Sequence, residues 1–253
     1  MPRKAFMIIK TDGIVIRENN TGEQDRLVTL LTRDKGIITA FVNGGRNPKN
    51  KNVAATGLLC YSDFSIEKTR RDVYIIKEAT AKEVFFSLRE DIVSLSLAQY
   101  FAELTYELAP REESSTDYLS LLLNAIFLIT KRTKENRLIK AATELRMLCL
   151  SGYMPSVVSC ALCGSFESEN MYFDLHTGEI FCDECQRASS LHQLSLTTVS
   201  AMRYICFSEA KKIYSFTIPK EDLEDLCFIT EIYLRNITGR KYKTLDFYKT
   251  MTS

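Results

Sequence analysis

Residues 26–42 read RLVTLLTRDKGIITAFV, and this stretch decides the fold of the first third of the chain. The runs 26–32 and 37–42 are rich in β-branched and large apolar side chains, which favour strands. Residues 33–36, RDKG, supply turn formers between them. The stretch therefore predicts a β-hairpin.

Three more runs with strand character surround this hairpin. Residues 11–17 are rich in β-branched side chains, residues 60–67 alternate with period two, and residues 73–76 form a last short apolar run. The sequence NGGRNPKNKN at 43–52 is too rich in turn formers to hold regular structure. Five short strands and one long loop within about 70 residues predict a small β-barrel of the oligonucleotide-binding (OB) type.

Beyond residue 85 the apolar side chains recur at the spacing of helices. Ser114 to Asp117 offer N-cap side chains, and the pair Ser151-Gly152 offers a C-terminal stop. The pattern predicts helices over about residues 88–108, 114–131, 136–150, 195–208 and 219–236.

Eight cysteines occur in the chain, and four of them follow the pattern Cys160-x2-Cys163-x18-Cys182-x2-Cys185. Two CxxC pairs at this separation are typical of a four-thiolate zinc site, whose closed coordination makes the metal structural. An iron–sulfur cluster, a redox CxxC pair and coincidence are the alternatives. The other four cysteines lie singly in apolar patterns and are predicted to be buried core thiols: Cys60, Cys149, Cys206 and Cys227.

The chain is thus predicted to be an α+β protein. An N-terminal five-stranded OB-type β-barrel is followed by an α-helical domain that carries an inserted four-cysteine zinc module. The predicted domains are 1–80 for the barrel, 81–156 for the first helical part, 157–190 for the zinc module and 191–253 for the second helical part.

Composition points to a folded globular protein, with 45% hydrophobic and 26% charged residues. No apolar run approaches the ~18–20 residues that a membrane-spanning helix needs. The basic start of the chain lacks the apolar core of a signal peptide. We therefore expect a cytoplasmic protein with no membrane partner.

The net charge of +1 hides an asymmetry. Residues 1–80 carry 14 basic and 9 acidic side chains, a net charge of +5, while the rest of the chain has a net charge of −4. No acidic residue lies between Asp34 and Asp63. This distribution suggests a nucleic-acid-binding face near the N-terminus, and a solvated basic loop is the alternative.

Basic side chains in two loops of the predicted barrel are the candidate DNA contacts. Because loops of an OB barrel share a binding face, we expect both loops to line one groove. The candidates are Arg46, Lys49 and Lys51 in the long loop, and Lys68, Arg70 and Arg71 in the turn between the last two strands. Four aromatic residues are possible base-stacking partners, although aromatics at strand spacing are more often core: Phe41, Tyr61, Phe64 and Tyr74.

Catalytic motifs are absent from the sequence. The chain has two histidines, His176 and His192, and neither belongs to a Ser/His/Asp or HExxH arrangement. It has no GxxxxGK[ST] and no GxGxxG motif for phosphate binding. We therefore expect no enzymatic activity. A metalloenzyme with an open zinc position is the alternative.

Two parts of the sequence resemble the bacterial RecO family of DNA repair proteins. One is LRMLCLSGYMP at 145–155, which leads into CALCG at 160–164. The other is the opening, with GIVI at 13–16, GEQDRLVTLLT at 22–32 and GGRNPK at 44–49. The resemblance covers essentially the whole chain, although not all members of the family keep the four cysteines.

This resemblance implies a recombination mediator of the RecF pathway rather than an enzyme. Such a protein binds single- and double-stranded DNA, anneals complementary strands and, with RecR, helps RecA replace single-strand-binding protein on gapped DNA. The family also binds the C-terminal tail of single-strand-binding protein, and it works at the bacterial nucleoid. A zinc-ribbon RNA-binding factor built on an OB barrel is the alternative.

Overall fold

Strand β1 (Met7–Thr21) is long enough to pair with two neighbours, and this closes the N-terminal sheet. In the computed structural model, which describes residues 7–186 and 189–252, β1 pairs with β2 and with β4, both antiparallel. The strands close into a barrel in the order β1-β2-β3-β5-β4, with β3 and β5 parallel. The other strands are β2 (Asp25–Thr32), β3 (Gly36–Val42), β4 (Tyr61–Lys68) and β5 (Tyr74–Glu83).

The barrel core consists of the side chains that alternate inward along these strands. Val28 and Leu30 of β2 lie inside with Ile38 and Ala40 of β3, and all four are at most 3% exposed. Because neighbouring strand residues point to opposite faces, the residues between them face outward. The α+β class and a five-stranded N-terminal sheet are therefore confirmed.

Two strands are longer than the sequence indicates. Residues 18–21, which have turn-forming composition, continue β1, and the turn comes at residues 22–24. Strand β5 runs to Glu83 instead of ending at Ile76. Hydrogen bonds to β2 and β4 hold these polar segments extended, because cross-strand pairing overrides weak local propensity.

All five predicted helices are present, and a sixth was missed. Helix α6 is short and buries only Leu245 and Tyr248, so its apolar pattern is weak in the sequence. The helices are α1 (Ile92–Leu108), α2 (Thr116–Lys131), α3 (Asn136–Leu150), α4 (Leu196–Phe207), α5 (Lys220–Thr238) and α6 (Lys243–Thr252). In the part of the chain that the structure describes, no helix is both long and apolar enough to cross a membrane.

The chain divides into two compact units. One contains the residues up to Thr130 and those from Thr244 onward, and the other contains Lys131–Lys243. Within the first unit the segment after α1 is tied to the barrel, because the Ile37 amide donates to the Pro110 carbonyl at 2.9 Å. In this division α1 and α2 group with the barrel, and the predicted domain boundaries stay predictions.

An ion pair braces the start of the barrel. The Arg33 guanidinium donates to both carboxylate oxygens of Asp12, at 2.8 and 2.6 Å, and Tyr61 donates to the same carboxylate. The Arg33 hydrogen bonds outweigh the opposing effect of burial and lower the pKa of Asp12 to about 2. Because the folded-state pKa is depressed, this pair stabilises the fold above about pH 4 and less as pH falls toward 2.

We predict that Asp12→Asn lowers the free energy of unfolding by about 1–2 kcal/mol at pH 7 and by less at pH 3. Urea titration at the two pH values measures both changes. Asp63→Asn is the matched control, because Asp63 lies opposite Asp12 in register and its ion pair with Lys82 is exposed. Equal losses in the two variants, or a loss in Asp12→Asn that grows at pH 3, would contradict the assignment.

Candidate functional site

The four paired cysteines lie in or beside a small sheet within the second unit. Strands β6 (Met171–Phe173) and β7 (Ile180–Cys182) pair as an antiparallel hairpin. A third strand, β8 (His192–Leu194), was missed and pairs with β6. Cys182 ends β7, and Cys185 follows in the next turn.

Tight turns bring the two CxxC pairs together. The Gly164 amide donates to the Cys160 carbonyl at 2.9 Å, and Gly164 adopts φ +75°, which favours glycine. The Cys185 amide likewise donates to the Cys182 carbonyl at 3.1 Å. As a result the four Sγ atoms all lie within 4.8 Å of one another.

This donor set fits a tetrahedral metal ion. Thiolates about 2.3 Å from a zinc ion lie about 3.8 Å from one another, and the Cys163 and Cys182 sulfurs are 3.6 Å apart. Burial opposes ionisation of Cys160, but backbone amides of Cys163 and Cys182, among others, lower the pKa of its thiol to about 6. Hydrogen bonds with Cys163 and Cys182 raise the pKa of Cys185 to about 12. Four sulfurs this close cannot all ionise without a cation, so these residues could hold a metal ion.

The cysteine module is anchored to α5 by close contacts. Gly178 lies so near Tyr233 that an added Cβ would come within 2.5 Å of the tyrosine Oη. Tyr233 also donates to the Tyr153 carbonyl at 3.2 Å, and Asn236 donates to the Leu175 carbonyl at 2.8 Å. The module is therefore part of the second unit rather than a free appendage.

The four remaining cysteines lie outside this centre. Cys60 and Cys206 are buried, as predicted, whereas Cys149 and Cys227 are only half-buried. The prediction of buried core thiols is thus wrong for the last two, because each lies on the partly exposed side of a helix whose apolar pattern it shares.

The long basic loop lies at the far end of β3 and is built from hydrogen-bonded turns. Arg46 is exposed and donates to the carbonyls of Gly22 and Glu23, so it links the loop to the β1–β2 turn. Lys49 is exposed. The Lys51 ammonium pairs with Glu78 at 2.9 Å, and both side chains are largely exposed.

The second basic group lies elsewhere on the barrel. Arg70 and Arg71 are exposed on the β4–β5 turn, and Lys68 pairs with Asp72 and Glu112. This turn directly precedes Tyr74, whereas the partner of Lys51, Glu78, lies four residues further along β5, about 13 Å away. The two predicted groups are therefore offset by about four residues along β5, and their sharing of one groove stays a prediction.

The four candidate aromatics also separate. Phe64 and Tyr74 belong to the barrel core, at 3% and 6% exposure, and are not surface platforms. Tyr61 is half-buried and bound to Asp12. Phe41 is half-buried on the outer face of β3, so of the four it is the one best placed for base stacking.

The outer surface of the barrel has two faces of different charge. Across β1, β4 and β5, a concavity of about 460 Å³ is lined by one lysine, Lys10, and by four carboxylates: Asp12, Asp34, Asp63 and Glu78. Across β1, β2 and β3 lie Arg17, Thr29 and Thr39 in one row, and the half-buried Leu27 and Phe41 in the next. We did not predict Arg17 as a site residue, because the β-bulge that sets its orientation leaves no pattern in the sequence.

Comparisons with known proteins match both the N-terminal and the C-terminal part of the chain to the same family. The family model described as "Recombination protein O N terminal" matches residues 7–85, and "Recombination protein O C terminal" matches residues 89–246. The chain is 32% identical over 244 residues to the DNA repair protein RecO of Acetivibrio thermocellus, covering 96% of this chain and 97% of that protein. It is 30% identical over 213 residues to the RecO of Alkaliphilus metalliredigens, covering 84% and 86%.

We predict that the purified chain carries one tightly held metal ion and that Cys160→Ser lowers the metal content well below that of the wild type. Loss of one of four ligands removes charge and leaves the coordination sphere incomplete, so elemental analysis after dialysis against a chelator measures the change. Cys60→Ser is the control, because Cys60 directly precedes β4 of the barrel and is not one of the four clustered cysteines. Equal metal content in all three proteins would rule out the site.

Proposed function

Because the chain belongs to the RecO family of DNA repair and recombination proteins, we propose that it is a recombination mediator. It binds single- and double-stranded DNA and anneals complementary strands. Together with RecR it helps RecA replace single-strand-binding protein, whose C-terminal tail it also binds. It acts without catalysis, in the bacterial cytoplasm at the nucleoid, within the RecF pathway.

DNA binding is supported most directly by the combination of an aromatic ring and exposed cations on and beside the outer face of β1, β2 and β3. Phe41 offers a half-buried ring there, and the exposed Arg46 and Lys49 follow in the loop that leaves β3. Proteins that bind single strands combine a cationic track with aromatic platforms in this way. The closed five-stranded order with a parallel β3–β5 pair supports an OB-type barrel.

Annealing follows from charge neutralisation. Two DNA strands repel each other through their phosphates, and exposed Lys and Arg side chains reduce that repulsion by replacing bound counterions. Base pairing then supplies the free energy that drives the strands together. Arg70 and Arg71 lie about 13 Å or more from the Lys51 contact, so we assign them to a different stretch of DNA backbone from the one that Lys49 contacts.

The metal at the four cysteines is proposed to be zinc. Four thiolates leave no open position for substrate or water, so the ion supplies structural cross-linking when bound. Cys160, Cys163, Cys182 and Cys185 would hold it, and the contacts of Tyr233 and Asn236 tie their module to α5. The ion therefore stabilises the second unit and takes no part in annealing.

We predict that the wild-type chain accelerates annealing of complementary oligonucleotides coated with single-strand-binding protein, and that Lys49→Glu slows it severalfold at low salt. The Lys49 side chain is exposed, so charge reversal there should leave the fold intact. Lys211→Glu is the control, because it makes the same charge change at an exposed position in the second unit.

The assay is run with and without RecR, and structured RNA is added as a competitor. If structured RNA displaces the chain from DNA, the RNA-binding alternative is favoured. Absence of annealing by the wild type under all these conditions would overturn the proposed function, whereas equal rates for Lys49→Glu and wild type would overturn only the loop assignment.

A further inference from the structure

Arg17 faces away from the barrel core because of an irregularity in β1. The register with β2 shifts between Val15 and Arg17, so Val15 lies in the core and Arg17 lies opposite Thr29. Thr29 in turn lies opposite Thr39 of β3, which is exposed. Arg17 therefore lies on the same outer face as Phe41, which is two residues beyond Thr39.

Helix α1 and the segment after it place a second guanidinium beside Arg17. The Arg17 guanidinium carbon lies 3.4 Å from the centroid of the Tyr106 ring, and that of Arg111 lies 4.8 Å from the same centroid. The two cations are thus at most about 8 Å apart. The backbone of Arg111 is fixed by a bridge to Gly36, at the start of β3.

Neither guanidinium has an anionic partner within the described residues. No carboxylate lies within ion-pair distance of Arg17 or Arg111 there, although six other basic residues of the barrel do form such pairs: Arg26, Arg33, Lys51, Lys68, Lys77 and Lys82. Hydrogen bonding from Arg111, reinforced by the positive charges of both arginines, lowers the pKa of Tyr106 against the opposing effects of burial and of Glu107. The ring thus holds two mutually repelling cations, an arrangement that an anion between them would stabilise.

We propose that Arg17 and Arg111, held by Tyr106, form a phosphate-binding site for the backbone of single-stranded DNA. The planar guanidinium offers paired donors that match phosphate oxygens, and two of them around one phosphate give more directional binding than exposed lysines. Tyr106 is a positioning residue. This inference rests on the proposed function, which it deepens by naming a site outside the two basic loops.

The site also gives the bound strand a path. It lies at one end of the outer face, Phe41 lies in the neighbouring row, and Arg46 lies beyond at the β1–β2 turn. Along the bound strand, a phosphate contact at the arginine pair would therefore be followed by a base contact at Phe41 and a further phosphate contact at Arg46. The carboxylate-lined concavity lies on the other side of β1, and it repels DNA from that face.

The test is binding of a fluorescent oligothymidylate of about 20 nucleotides to the full chain over a series of salt concentrations. We expect Arg17→Gln plus Arg111→Gln to weaken binding roughly tenfold at low salt and to reduce the salt slope by about 0.7 for each lost contact. Tyr106→Leu should weaken binding in the same direction, while Tyr106→Phe, which keeps the ring, should retain most of the affinity.

Lys10→Gln is the matched control, because Lys10 is an exposed cation on the same strand and faces the carboxylate-lined concavity. Its affinity and salt slope should match those of the wild type. If the wild type binds and the double arginine variant binds equally well with the same slope, the inference is wrong and the proposed function stands. If the wild type itself does not bind at low salt, the proposed function fails first. Circular dichroism of each variant separates lost binding from lost folding.

Discussion

Strand β1 is shared between two neighbours, and the barrel depends on this double pairing. It pairs with β4 from Met7 to Ile14 and with β2 from Gly13 to Thr21, so the two ladders overlap at Gly13 and Ile14. An added Cβ at Gly13 would lie 2.5 Å from the Leu31 carbonyl oxygen, so the strands approach this closely only because the residue is glycine. Closure leaves the described strands of this sheet without a free edge, and each half of β1 then belongs to a different outer face.

The two faces differ in what they can bind. Carboxylates line the concavity on the β4 side, whereas on the β2 side Arg17, Phe41 and the loop with Arg46 succeed one another. The bulge after Val15 separates the two environments within a single strand. The metal centre lies in the other compact unit, where its four sulfurs brace a small sheet against α5. Nucleic-acid binding and metal binding are therefore assigned to separate parts of the chain.

Local sequence patterns predicted the secondary-structure elements well, but they predicted poorly which surface residues lie together. The 26–42 hairpin, the five longer helices and the cysteine cluster are each specified within a short segment, by period, caps or spacing. The joint position of Arg17, Tyr106 and Arg111 is not specified within a short segment. It requires a bulge in β1 and the docking of a helix about 90 residues later. Whether the two basic loops share a groove depends on the same long-range packing, so that expectation stays a prediction.

The central claim is that single-stranded DNA follows the outer face of β1, β2 and β3. Ultraviolet cross-linking of an oligothymidylate to the wild-type chain, followed by peptide mass spectrometry, tests this most directly. The account predicts cross-linked peptides that contain Phe41 or Tyr106, with little cross-linking elsewhere. Cross-links confined to the cysteine module around Tyr172, or to strands β4 and β5, would contradict it.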